Sequence, residues 1–123
     1  MYVDTHCHIS KKYYDNIDLL INEIRKSGVK RVIVNGTDYE SNLEVLELVN
    51  KYDIVYGAIG FHPTELDNFN FNHLEWLDKH LSDNKIVAVG EIGLDYHYEN
   101  TNKPLQQEVF KKQLLLQCFL APL

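Results

Sequence analysis

Three side chains near the N-terminus have the types and the spacing of a metal grip. Asp4, His6 and His8 follow one another at i, i+2 and i+4. On an extended chain these positions share one face, while Thr5 and Cys7 point the other way. Two imidazoles two residues apart on a rigid strand can hold one cation. A carboxylate on the same face can accept an imidazole N–H and fix its tautomer. A surface loop that happens to carry two of the chain's 6 histidines has the same spacing, so the pattern alone leaves both readings open. His62, in Gly60-Phe61-His62-Pro63, is either a site residue or a structural hydrogen-bonder. Glu91 follows the apolar run Val87-Ala88-Val89-Gly90. A carboxylate directly after a buried strand is costly unless it is paired or metal-bound, although a solvated loop glutamate is the plain alternative. Asp95 lies further along the same loop.

What must position these groups is a run of alternating elements. Short β-branched segments alternate with helical stretches, the pattern of βα units on a parallel sheet. Strands are expected at Tyr2 to His6, Arg31 to Asn35, Ile54 to Gly60 and Lys85 to Glu91. Pro63 cannot donate to a ladder, so the third strand must stop before it. Helices are expected from about Asp15 to Lys26, Ser41 to Tyr52, Asn72 to Leu81, and from Pro104 as the first helical residue. The first has its apolar stripe at Ile17, Leu20, Ile21 and Ile24 and ends at Gly28. The second has its stripe at Val45, Leu48, Val49 and Tyr52, and the third at Leu74, Leu77 and Leu81. The fourth carries Leu105, Val109, Phe110, Leu114 and Leu116. Four such units fit a flavodoxin-like sheet or half of a (β/α)₈ barrel, and periodicity does not choose between them. The candidate ligands do converge on the C-terminal ends of strands 1, 3 and 4, the face on which parallel α/β folds build their sites.

The bulk numbers narrow the function. The chain has 123 residues, about half of what a full (β/α)₈ barrel needs. With 45% hydrophobic and 24% charged residues it is expected to fold rather than stay disordered. No apolar run approaches a membrane span and no signal peptide is visible, so a cytoplasmic location without a membrane partner is expected. The net charge of −6 speaks against tight, non-specific binding of duplex DNA. An acidic nuclease remains feasible if bound cations supply the positive charge. Cys7 and Cys118 match no zinc spacing and are expected to be free thiols.

Asp4-Thr5-His6-Cys7-His8 resembles the D-x-H-x-H opening of the TatD family of metal-dependent deoxyribonucleases. Gly60-Phe61-His62-Pro63 resembles that family's G-x-H-P, and Gly90 to Tyr96 its G-E-x-G-L-D-[YF]. Gln106, Phe110 and Gln113 resemble its Q-x-x-x-F-x-x-Q. The resemblance runs from Met1 to about Leu116 and implies the N-terminal half of a TIM-type barrel, with residues 1–123 as a single partial domain. It implies one or two divalent ions, Mg²⁺ by family habit, with Mn²⁺ or Zn²⁺ suited to mixed imidazole and carboxylate donors. His6, His8 and Glu91 would hold metal, Glu91 would also be catalytic, and Asp4, His62 and Asp95 would line the site or touch substrate. The implied reaction is phosphodiester hydrolysis of DNA, single-stranded or at 3′ ends. The family's later histidines and late aspartate have no counterpart here, and Gln117 to Leu123 departs from its pattern, so impaired activity is expected. Two other readings are hydrolysis of amides or esters and a non-catalytic half-barrel serving as an assembly partner. Strands 1 and 4 would be raw sheet edges, and Leu114, Leu115, Leu116, Phe119 and Leu120 an uncovered apolar surface, which points to a homodimer closed edge to edge or to a poorly soluble chain, and away from a stable monomer.

Overall fold

The computed structural model describes residues 2–120, with the side chains of the last helix followed to Leu116. Its elements run β1 (Tyr2–Cys7), α1 (Ile17–Lys26), β2 (Val29–Asn35), α2 (Tyr39–Lys51), β3 (Val55–Ile59), α3 (Asn72–His80), β4 (Ile86–Val89) and α4 (Lys103–Leu120). The strands form one sheet in the order β1-β2-β3-β4, every neighbouring pair parallel. The sequential order makes this four consecutive βα units of a (β/α)₈ plan and excludes the flavodoxin-like alternative, in which the second strand lies outside the first. β1 and β4 are the two edges. Among the described residues no helix is long and apolar enough to cross a membrane.

The core lies where the helices' apolar stripes meet the strands. Ile21 of α1, Val45, Leu48 and Val49 of α2, Leu77 of α3 and Val109 of α4 join Val32, Val34, Val55 and Ile59 in one buried cluster. Three of the four helices, α1, α2 and α4, begin where a side chain satisfies one of their free N–H groups, whereas α3 follows Phe71 with no side-chain cap. Asn16 accepts from Leu19, so α1 starts after the Asp15 read from the sequence. Asp38 and Ser41 form a reciprocal capping box, which starts α2 at Tyr39, two residues before the expected Ser41. Asn102 accepts from the Leu105 N–H at 3.2 Å, so Pro104 is the second helical residue of α4 and not the first. Gly28, with φ of 91°, ends α1 in the left-handed form that favours glycine.

β4 is shorter than the expected Lys85 to Glu91, and the reason is local. Lys85 and Glu91 both have positive φ, 69° and 58°, which takes each out of the extended ladder. The turn at Lys85 lets its ammonium donate to the Val49 and Tyr52 carbonyls at the end of α2, at 2.7 and 2.6 Å. Leu114 and Leu115 are exposed, as read from the sequence, but Leu116, expected with them, is half-buried against the core because it lies on the inner face of α4. The same expectation for Phe119 and Leu120, and that of a free thiol at Cys118, fall on side chains outside the described residues.

Beyond the strand ends, buried amides take over from the ladder. Asn42, inside α2, donates to the Gly60 carbonyl at 2.7 Å and accepts the Gly60 N–H at 3.1 Å. Gln113 of α4 does the same for Phe61, at 3.1 and 2.7 Å. Gln106 does so for Asp95, at 2.9 and 2.8 Å. Gly60 is constrained further, because a β-carbon there would lie 2.1 Å from the Gly90 carbonyl oxygen.

Asn42→Ala removes two buried hydrogen bonds and orphans both Gly60 backbone groups. It is expected to cost about 2–4 kcal/mol in urea unfolding. Asn50→Ala, on the exposed face of the same helix, is expected to stay within about 0.5 kcal/mol of the parent. Equal midpoints for the two variants would remove the Asn42 pairing from this account.

Candidate metal centre

The site is built on the carboxyl ends of β1 and β4. β1 has a register irregularity between Asp4 and Cys7, and its end delivers His6 and His8 with their rings 5.2 Å apart, edge to face. The left-handed turn at Glu91 takes the chain out of β4, and the Glu91 carboxylate lies against β1. His6 Nε2 lies 2.6 Å and His8 Nε2 3.5 Å from the same oxygen, Glu91 Oε1. One ligand atom from each of the three residues falls within 4.8 Å of the others. Glu91 is the most enclosed of the three, its side chain 14% exposed.

The hydrogen bonds around the histidines set their tautomers. His8 Nδ1 lies 3.0 Å from the Asn35 carbonyl at the end of β2. A carbonyl only accepts, so Nδ1 carries the proton and a neutral His8 turns the lone pair of Nε2 toward Glu91. A lone pair and a carboxylate oxygen at that distance repel unless a cation or a proton lies between them. Two imidazole nitrogens and one carboxylate oxygen are also the donor set of a borderline divalent ion. On donor chemistry and on geometry the three residues fit a metal.

The other candidate residues are placed differently. Asp4 was expected to fix an imidazole tautomer. Its carboxylate instead accepts the backbone N–H of His6 at 3.0 Å, because two residues along a bulged strand the peptide group is nearer than the ring. The tautomer-fixing role falls to the Asn35 carbonyl. His62 lines the same cleft as His8 and Glu91, a volume of about 670 Å³, but lies outside the three-ligand cluster. Its turn is held by a 2.8 Å bond from its N–H to the Thr37 carbonyl. The Thr64 N–H donates to His62 Nδ1 at 3.2 Å, and the Thr64 hydroxyl lies 2.8 Å from the same atom. Nδ1 is therefore the acceptor, and neutral His62 keeps its proton on Nε2, a donor rather than a ligand. Asp95 is not brought to the cluster, since its carboxylate accepts the His97 N–H at 2.9 Å and shapes its own loop.

Sequence reasoning passed over Asn35, Asn42 and Thr64. Asn42 left one signal: asparagine is a poor helix former, so its place among helical apolar residues needed a reason. Asn35 acts through its backbone, which no side-chain pattern reveals.

The family described as TatD related DNase matches residues 3–117. The uncharacterized metal-dependent hydrolase YabD of Bacillus subtilis (strain 168) is 35% identical over 117 residues, covering 94% of this chain and 46% of the relative. The 3′-5′ ssDNA/RNA exonuclease TatD of Edwardsiella piscicida is 31% identical over 107 residues, covering 85% and 41%. The crystal structure of YjjV, a TatD homologue from Escherichia coli K12, superposes with a TM-score of 0.85 at 34% identity, covering 94% of this chain and 46% of that one. The chain thus spans about half the length of the relatives it matches.

Cys7, between the two histidines, is chemically quiet. Burial, and secondarily the Asp4 carboxylate, push its thiol up to about 12. Its Sγ lies 3.4 Å from the Ile33 carbonyl. The thiolate is the reactive form and stays scarce until pH approaches that value. At about pH 8.5, where an unperturbed thiol is half ionised, native Cys7 is expected to resist iodoacetamide and to react fully once urea unfolds the chain. Peptide mass mapping reads this out, and fast native alkylation at Cys7 would contradict it.

Proposed function

Because this chain belongs to the family of TatD-related DNases, we propose that it carries one half of a divalent-metal-dependent phosphodiesterase site acting on DNA, of the 3′ exonuclease type. The observation that carries the reading is the meeting of His6, His8 and Glu91 at one point, with the His8 lone pair facing a carboxylate. The family habit favours Mg²⁺, and the two imidazoles suit Mn²⁺ or Zn²⁺ as well. When bound, one or two such ions would supply Lewis acidity and neutralise charge at the phosphodiester.

The chain's own groups have distinct tasks. His8, oriented by the Asn35 carbonyl, and His6 supply nitrogen donors. Glu91 Oε1 faces both rings, while Oε2 has no hydrogen-bond partner among the described residues and is free to accept a proton from an attacking water. His62 offers Nε2–H across the cleft to a non-bridging phosphate oxygen. Asp4 steadies the backbone that presents His6, and Asp95 fixes the loop behind Glu91. A three-donor site holds its ion weakly, and hydrolysis by this chain is expected to be well below that of a full-length relative.

In a chain of these 123 residues β1 and β4 are unpaired edges, with Val3 and Val87 each 50% exposed. We infer that two copies join β4 to β1 and close eight strands, which would set two copies of the His6–His8–Glu91 cluster on one face.

Three measurements check these readings. Isothermal titration with Mn²⁺ and Zn²⁺ is expected to show weak binding to the parent chain and none to the His6→Ala/His8→Ala double variant. Equal affinities would dismiss the site. Slow Mg²⁺-dependent shortening of a single strand is expected to disappear in Glu91→Gln, whereas turnover of amide or ester substrates with DNA untouched would move the reading to that class. Light scattering is expected to give a dimer mass, and a monodisperse, cooperatively melting monomer at micromolar concentration would refute the edge pairing.

A further inference from the structure

The loop after β1 carries a feature that metal binding does not use. Lys11, Lys12 and Tyr13 line the cleft that holds His8, His62 and Glu91. Tyr13 is 62% exposed, so its ring is open to a partner. The Lys12 ammonium sits 5.5 Å from the centre of that ring. The loop is not a loose tether. Ser10 accepts the N–H groups of Tyr13 and Tyr14 on its carbonyl, at 3.0 and 3.1 Å, and that of Lys12 on its hydroxyl, at 3.0 Å. Lys11 fastens it to α2, donating its N–H to Glu44 at 2.7 Å and pairing its ammonium with Glu47 at 3.2 Å.

The charges of the cleft decide what this loop can receive. Six carboxylates line it, of which Asp38, Glu44, Glu47 and Glu91 already have partners. Lys11 is committed to Glu47. Among the described residues, Lys12 is the one cation lining the cleft that pairs with no carboxylate. A single phosphate beside an exposed ring can be accommodated there. A duplex, which would bring a second phosphate backbone against the acidic wall, cannot.

We propose that Lys12 and Tyr13 form a subsite for single-stranded nucleic acid, with one base stacked on the Tyr13 ring and the adjoining phosphate on the Lys12 ammonium. The loop is pre-ordered, so little conformational freedom is lost on binding. Stacking on a ring is tolerant of sequence, so the subsite selects for strandedness and not for base identity. The proposal rests on the reading that this cleft acts on DNA, and deepens it by naming how the strand is held beside the centre.

The test separates strand binding from metal chemistry. Fluorescence anisotropy of a labelled oligothymidylate, and of a blunt duplex of equal length, is measured in EDTA with the full chain. The single strand is expected to bind more tightly than the duplex. Tyr13→Ala is expected to weaken single-strand binding about 5- to 50-fold, while Tyr13→Phe keeps it. Lys12→Ala is expected to weaken it and to lower the slope of log affinity against log salt by about 0.7, the signature of one lost phosphate contact. Lys30→Ala, on an exposed residue outside the cleft, is expected to change neither. Parent-like binding by Tyr13→Ala, or equal losses in Lys12→Ala and Lys30→Ala, overturns the subsite while leaving the nuclease reading intact. No binding of either probe by the parent chain in EDTA also overturns the subsite, while the DNA reading stands or falls on the Mg²⁺-dependent shortening of a single strand.

Discussion

The double hydrogen bond between a buried primary amide and the backbone of one residue is the interaction on which this site depends. A parallel strand that ends leaves N–H and carbonyl groups without a ladder, and those groups are costly to bury unpaired. A carboxamide offers a donor and an acceptor at about the spacing of a peptide edge, and so acts as a neighbouring strand one residue long. Asn42 supplies this to Gly60, Gln113 to Phe61 and Gln106 to Asp95. The helices thereby reach over the sheet and fix the loops that follow β3 and β4. The ring of Phe61 is buried beneath its turn, with His73 stacked between it and Tyr39. Among the described residues no buried side-chain nitrogen or oxygen lacks a partner.

Two histidines in this cleft are given opposite characters by what holds their Nδ1 atoms. The Asn35 carbonyl makes His8 a lone-pair donor at Nε2, and Thr64 makes His62 a proton donor at the same atom. Residue type does not distinguish them. The neighbour on the far side of each ring does, by offering an acceptor in one case and a donor in the other.

Much of this was legible in the chain. The alternation of β-branched and amphipathic segments gave four βα units, and the polar residues at strand ends marked the face that carries the site. His6, His8 and Glu91 stood out because each is a ligand type placed at the carboxyl end of a strand. Asp4 was read in the right place with the wrong partner, since strand parity reports which way a side chain points but not whether a peptide N–H lies closer than a ring. The ends of β4 were overrun because Lys85 and Glu91 take positive φ in the folded protein, a conformation that neither residue type advertises. The role of Asn35 was hidden for a different reason: any residue supplies the same carbonyl.

The amide frame has a consequence for how the cleft answers to its surroundings. Carboxamides do not ionise, and hydrogen bonds between neutral dipoles are nearly indifferent to dissolved ions. Acidity and salt therefore bear little on the amide pairs that hold Gly60, Phe61 and Asp95, and act instead on the imidazoles, carboxylates and ammonium groups around them. The scaffold is electrically silent and its occupants are not, so a titration of this cleft reads its chemistry with little interference from its architecture.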